Sequence, residues 1–222
     1  MSDDKERLVQ LENVLTQMLQ PLRGVPFYFV VKALSKREII PIDKAAADDK
    51  ALIANLEQAV RACGKATHQK PIVRPRPNEV GNDIESYVMD GVRGAGLKCE
   101  RPKTTGGSLK ATGYPDILVF DATATPTYLE CKIYGAGSVG TSMRSFYLSP
   151  SDEFKVSLDA RHLLLAFEME RKPLPSSQDS EYRAKAFKLV DLHDLQCDVK
   201  YEFNSDNRRL YADGLVLTSG TI

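Results

Sequence analysis

Asp116, Glu130 and Lys132 stand inside two short apolar runs, Tyr114-Pro115-Asp116-Ile117-Leu118-Val119-Phe120 and Tyr128-Leu129-Glu130-Cys131-Lys132-Ile133-Tyr134. Runs of this kind predict buried strands. Charge buried in a strand without a partner is costly, so these three side chains need a use. Two neighbouring carboxylates repel, and one takes up a proton unless a cation lies between them. Lys132 supplies part of that positive charge, and a divalent metal would supply the rest. Hard oxygen ligands with no nearby His or Cys favour Mg²⁺ over Zn²⁺. A Mg²⁺ held there coordinates a phosphate oxygen and offsets charge developing in the transition state. A lysine beside it orients or deprotonates the attacking water and stabilises pentavalent phosphorus. The chemistry that suits this set is metal-dependent hydrolysis of a phosphodiester.

The segment between the runs, Asp121-Ala122-Thr123-Ala124-Thr125-Pro126, reads as a short hairpin connection. A turn centred on Thr123 sets Asp116 opposite Glu130, and side chains so opposed have Cβ atoms roughly 4.5–5.5 Å apart. Glu130 and Lys132 differ by two and share a face of their strand. A register slip of one residue would scatter the set.

Around this hairpin the periodicity predicts helices over 3–20, 45–63 (stopped by Gly64), 78–96 and 150–159. The last is predicted from Ser149 as cap, Pro150 at the first helical position and the acids that follow. Strands are expected over 27–34, 39–42, 97–102, 162–169, 186–192 and 199–203, with 65–77 a basic, extended connector and 104–113 a flexible loop. On the 78–96 helix, Val80, Ile84, Tyr87, Val88, Gly91, Val92 and Ala95 form the apolar stripe. Glu85 lies at its edge and can reach a bordering cleft, whereas Glu79 lies on the far side.

The chain has 222 residues, 42% apolar and 27% charged, with a formal net charge of zero. These values suit a globular domain and argue against disorder. The distribution of charge is less even: Arg61, Lys65, Lys70, Arg74 and Arg76 run without an acid between them, and Lys98, Arg101, Lys103 and Lys110 follow against Glu100 alone. A basic zone of this kind fits phosphate contact or simply a solvated linker. Four separated cysteines with no CxxC pair argue against a zinc site and for a reducing compartment. The charged N-terminus and the lack of a long apolar run predict a cytoplasmic protein with no membrane segment. No Ser or Cys has a spaced His and acid that would suggest a triad, and His162, at the head of an apolar run, reads as structural.

Pro115-Asp116 and Glu130-Cys131-Lys132, in this order of elements, resemble the PD-(D/E)XK nuclease superfamily. The resemblance covers about residues 78–170. It implies an α/β (α+β, mixed-sheet) restriction-endonuclease-like core in the order αβββαβ, within a domain over 78–222 that follows an N-terminal extension and connector over 1–77. Chain size and the extension make the chain look most like a type II restriction endonuclease. The implied activity is Mg²⁺-dependent, sequence-specific hydrolysis of double-stranded DNA to 5′-phosphate and 3′-hydroxyl ends, by a homodimer on a palindromic site. Asp116, Glu130 and the Cys131 carbonyl would bind the metal, Lys132 would serve the water, and Glu85 matches the position of an accessory helix carboxylate. Lys103, Thr104, Lys110 and Arg144 flank the site as candidate DNA contacts. A repair or junction-resolving nuclease of the same superfamily, or a non-catalytic DNA-binding module with this fold, are the alternatives.

Overall fold

The computed structural model describes residues 2–20, 22–110, 112–141, 146–175, 177–200, 206–210 and 215. In chain order the elements are α1 (Ser2–Met18), β1 (Val25–Pro26), α2 (Phe27–Ser35), α3 (Ala47–Gln69), β2 (Ile72–Arg74), α4 (Pro77–Gly94), β3 (Lys98–Glu100), β4 (Ile117–Phe120), β5 (Thr127–Tyr134), β6 (Arg161–Pro173), β7 (Ser180–Asp191), β8 (Gln196–Cys197) and α5 (Asn207–Leu210). The chain divides into two compact units, one of residues 1–25 with 196–222 and the other of residues 26–195. In the first, Val199 N donates to the Leu22 carbonyl at 2.8 Å and Gly24 N to Asp198 Oδ1 at 3.0 Å.

The larger unit is a six-stranded mixed sheet in the order β2-β7-β6-β5-β4-β3, flanked by helices, as expected for a restriction-endonuclease-like core. Only β5 and β6 run parallel; the other neighbours are antiparallel. Alternation along the strands sends Leu129 and Cys131 of β5, and Leu163, Leu165 and Phe167 of β6, to one face. There they meet Leu52, Leu56, Ala59, Val60 and Cys63 of α3 and Val80, Ile84, Val88 and Val92 of α4 in a single core. The two helices cross closely at Gly91, where any Cβ would fall on the Ala59 carbonyl oxygen, well inside van der Waals contact. A glycine is required by that approach, not by its own backbone angles.

Several expectations fail. The 27–34 run is helix α2. Phe27 and Val31, four apart, are buried while Phe29 is 57% exposed, so helical spacing prevails over the β-propensity of the aromatic and branched residues. The 39–42 stretch contributes only an isolated bridge, Ile39 to Ala160. Helix α3 runs through Gly64 to Gln69, and the supposed connector contains β2. That last turn has a purpose: β7 carries an extra residue opposite the Glu168/Met169 step of β6, and α3 binds the backbone there. Thr67 Oγ1 accepts the Ala184 N–H at 3.0 Å, and His68 Nε2 lies 2.9 Å from the Ala184 carbonyl. The 150–159 helix does not form. Phe154, Lys155 and Val156 are buried in succession, which a one-sided helix does not allow, and their backbone groups go elsewhere. The Phe154 carbonyl accepts from Thr105 N and the Lys155 carbonyl from Tyr128 Oη. Among the described residues, the crossover joining parallel β5 and β6 is thus irregular chain instead of helix. Of the strand expected over 199–203, Val199 and Lys200 lie outside any strand and the remainder lies outside the described residues.

Candidate active site

Strands β4 and β5 pair antiparallel with Ile117 against Leu129, Leu118 against Tyr128 and Val119 against Thr127. This is the register that a turn centred on Thr123 demands. The turn itself is held by Asp121, whose Oδ1 accepts from the Thr123 N–H at 2.8 Å and from its hydroxyl. At the open end of the ladder Asp116 N donates to the Leu129 carbonyl at 3.1 Å, and Asp116 Oδ2 accepts the Cys131 N–H at 2.8 Å. Where backbone pairing stops, the carboxylate takes over as acceptor, and it lies beside the Glu130–Lys132 segment.

Glu130 is 4% exposed, and Lys132 Nζ donates to its Oε1 at 2.5 Å. Its other oxygen, Oε2, is buried without a hydrogen-bond partner among the described residues. Burial, with the neighbouring Asp116 charge, pushes the Glu130 carboxyl up to about 7 against the pull of Lys132. For Lys132 burial acts downward, but Glu130 and Asp116 outweigh it and the net shift is upward. Lys132 is therefore an ammonium in the folded protein.

Glu85 of α4 is 8% exposed and lines the same cleft, of about 680 Å³, as Asp116, Glu130 and Lys132. Its Oε2 accepts from Arg101 Nη1 at 3.0 Å. Burial, then Asp116, raises its pKa, while Arg101 and Lys155 oppose the rise. The helical angle that set Glu85 at the edge of the stripe therefore brings it to the cleft. Glu79, on the far side, pairs with Arg76 at 2.7 Å.

The weaker candidates divide. Lys110 lines the cleft and pairs with Glu153 at 2.9 Å. Lys103 is exposed at the base of the small hairpin that Thr104 closes: Thr104 is 4% exposed and its Oγ1 accepts from Ser108 N at 3.2 Å. Thr104 thus shapes its loop, and its hydroxyl is not presented to solvent. Arg144 lies outside the described residues. Much of the basic zone is neutralised by the chain's own acids, with Arg61 on Glu57, Arg74 on Asp83, Arg76 on Glu79 and Arg101 on Glu85. Arg61 and Arg76 pair with acids four and three residues away, whereas Arg74 and Arg101 meet Asp83 and Glu85 of α4 across longer separations.

Three polar residues with no sequence signal support the hairpin, two of them at the cleft and Arg161 at the turn end. Lys155, from the irregular crossover, is 6% exposed and lines the cleft. Arg161 sits at the head of β6 and is buried with Asp49 of α3 at 2.7 Å, with a further bond to the Thr125 carbonyl at 2.9 Å. It ties the β4–β5 hairpin to α3. Tyr114, just before Pro115, stacks on His162, and its Oη lies 2.5 Å from His162 Nδ1. Phe27 and Phe146 pack edge-on against Tyr114. His162 is fully buried and burial holds its pKa down to about 3, so its ring is neutral and structural.

The donor set can be tested against a metal. Two carboxylates on one hairpin end, one with a buried unpartnered oxygen, are hard donors that gain from a cation between them. Among the described residues no three His, Cys, Asp or Glu side chains converge on one point. A metal held by Asp116 and Glu130 therefore needs further oxygens that are not side chains, such as the Cys131 carbonyl, water or the substrate. The Cys131 thiol is fully buried and its pKa raised by that burial, so it is neither ligand nor nucleophile.

A restriction-endonuclease-like sheet, with an acid before one strand and acid-x-Lys on the next, defines a nuclease of the PD-(D/E)XK kind. The model of the type II restriction enzyme MjaV family matches residues 21–214, and the chain belongs to that family. It is 35% identical over 230 residues, covering 97% of both chains, to the type II restriction enzyme MjaV of Methanocaldococcus jannaschii. No solved structure matches the chain. Family membership selects the restriction-type reading over the repair-type and non-catalytic alternatives, and the protein is an endonuclease.

Proposed function

We propose that this chain cuts double-stranded DNA at a specific site with Mg²⁺, using Asp116, Glu130 and Lys132, and leaves 5′-phosphate and 3′-hydroxyl ends. The observation that carries this is the hairpin register, which supports one cleft holding both carboxylates and the ammonium. Asp116 and Glu130, with the Cys131 carbonyl, would hold the metal, which when bound supplies Lewis-acid charge to a phosphate oxygen. Lys132, charged and held by Glu130, donates hydrogen bonds to the attacking water and to the phosphate oxygens. Water adds to phosphorus and releases a proton to the surrounding solvent, the bond to the 3′ oxygen breaks, and that oxygen takes up a proton from solvent and leaves as the hydroxyl. Glu85, at the cleft wall, adds a carboxylate that orders water or a second cation. Lys110 is released from Glu153 to a DNA phosphate as the duplex enters, and Lys103 contacts the backbone nearby.

The active species is a homodimer, since two-fold DNA sites are matched by two-fold proteins. Leu8, Leu11, Val14 and Met18 of α1, spaced for one helical face and 48–64% exposed, supply an apolar surface for the second copy.

Incubation of unmethylated plasmid DNA with the protein and Mg²⁺ tests the proposal. Discrete fragments that religate without added kinase are expected. A smear would indicate cutting without specificity, and intact DNA across many sequences would defeat the proposal.

A further inference from the structure

Lys155 is the charged side chain at this site that the proposed chemistry leaves without a task. It comes from the crossover between β5 and β6, where a helix was expected and irregular chain is found. A lysine that is 6% exposed needs strong partners to remain an ammonium. It has them on one short turn: Nζ donates to the Gly113 carbonyl at 2.7 Å and to the Pro115 carbonyl at 3.2 Å. These two carbonyls lie on the turn that leads directly into Asp116. Burial lowers the Lys155 pKa, and Asp116, Glu130 and Glu85 all act against that lowering, so the ammonium sits within the field of the whole carboxylate group.

The lysine is itself held. Tyr128 Oη donates to the Lys155 carbonyl at 3.5 Å and accepts from Ser157 N at 3.0 Å, and Thr105 N donates to the Phe154 carbonyl at 3.0 Å. Phe154 and Val156, on either side, are buried. The turn it grips has little intrinsic rigidity. Gly113 has φ +89°, which side-chain-bearing residues rarely adopt, and is exposed with open space around its Cα. On the N-terminal side of Asp116, the hydrogen bonds from Lys155 and the stacked Tyr114 side chain hold the path of the chain, while Asp116 itself pairs with Leu129 and Cys131 of β5. Without a helix, the crossover can bury three successive residues and deliver Lys155 to this turn.

We infer that Lys155 is a positioning residue for the active site: its ammonium clamps the Gly113–Pro115 turn and thereby fixes the Asp116 carboxylate in the geometry that binds the divalent cation. The inference rests on the proposed metal role of Asp116. Outer groups that orient a metal ligand typically affect affinity by about 10–100-fold when removed. A lysine serving only to stabilise the fold would lower the melting temperature without changing the metal affinity of the protein that remains folded.

The test is calorimetric titration of Mg²⁺, and separately of Ca²⁺, into the whole protein without DNA, with thermal unfolding alongside. Single-turnover cleavage is then measured across Mg²⁺ concentration. Lys155→Met should weaken cation binding about 10–100-fold and move the half-saturating Mg²⁺ upward by a similar factor, with partial recovery of the rate at high Mg²⁺. Lys155→Gln, which keeps a donor but not the charge, should fall between wild type and Lys155→Met. Gly113→Ala loosens the same turn from the opposite side and should reproduce the defect, so the inference stays testable if Lys155→Met does not fold. Asp116→Ala separates the two levels of the proposal. If it abolishes cation binding while Lys155→Met and Gly113→Ala bind as wild type does, the positioning role is wrong and the site stands. If Asp116→Ala also binds normally, the site assignment itself is wrong.

Discussion

At the scale of single residues, the site combines a carboxylate that resists ionisation with a lysine that stays charged. The folded-state pKa of Glu130 lies above the ordinary 4.5, at about 7. The linked penalty is therefore absent below pH 4.5 and grows as pH rises through about 7. Metal-free protein should accordingly be less stable at pH 8 than at pH 6 on account of this group, and Glu130→Gln should stabilise it at pH 8 by about 1–3 kcal/mol while abolishing cleavage. Denaturant unfolding in EDTA checks this, and a destabilised variant would mean that the Lys132 attraction outweighs burial. His162 behaves in the opposite sense. Its folded pKa of about 3 lies below the ordinary 6.5, so stability is fully present above pH 6.5 and is lost as pH falls toward 3. The slope from one such proton is at most about 1.4 kcal/mol per pH unit. His162→Gln should flatten the stability profile between pH 6.5 and 5 relative to wild type. The register that groups Asp116, Glu130 and Lys132 was legible in sequence because a turn length fixes register, and register fixes which side chains share a face. Lys155 was not legible. Its contact to Pro115 spans 40 positions, and its own neighbourhood carries the letters of a helix start.

At the scale of elements, β3 to β7 and α4 followed their hydrophobic periods, and α4 carried Glu85 to the cleft as its angle required. Element types failed where tertiary demands overrode local preference. Helix α2 formed from a strand-like run because Phe27 and Val31 had a pocket to fill. Helix α3 passed through Gly64 because the bulge at Ala184 needed partners. The tight α3–α4 crossing gives a sharp prediction. Gly91→Ala forces its methyl against the Ala59 carbonyl and should cost about 1–3 kcal/mol in stability through separation of the helices, read by denaturant unfolding. Glycine was recognisable there only as part of an apolar stripe, since the approach of another helix leaves no mark in sequence. Arg161→Met should be harsher, about 3–5 kcal/mol, because it strands Asp49 in the interior.

At the scale of the whole molecule, the chain presents no excess charge to attract DNA, and most of the early basic zone is spent on internal pairs. Among the described residues no helix is long and apolar enough to cross a membrane. On the proposed function, affinity for DNA comes from local contacts at the cleft and from two copies acting together. Sedimentation should give a dimer, and Leu11→Glu on the exposed face of α1 should shift it toward monomer; an unchanged dimer would move the interface elsewhere. The central claim is that cleavage is carried by Asp116 and Lys132 on the β4–β5 hairpin. Its most direct test is single-turnover cleavage of the cut site by Asp116→Ala and Lys132→Ala, with DNA binding measured in Ca²⁺ alongside. Loss of at least about 10³-fold in rate, with DNA affinity nearly unchanged, is predicted for each. Cleavage by either variant at near the wild-type rate would contradict the account.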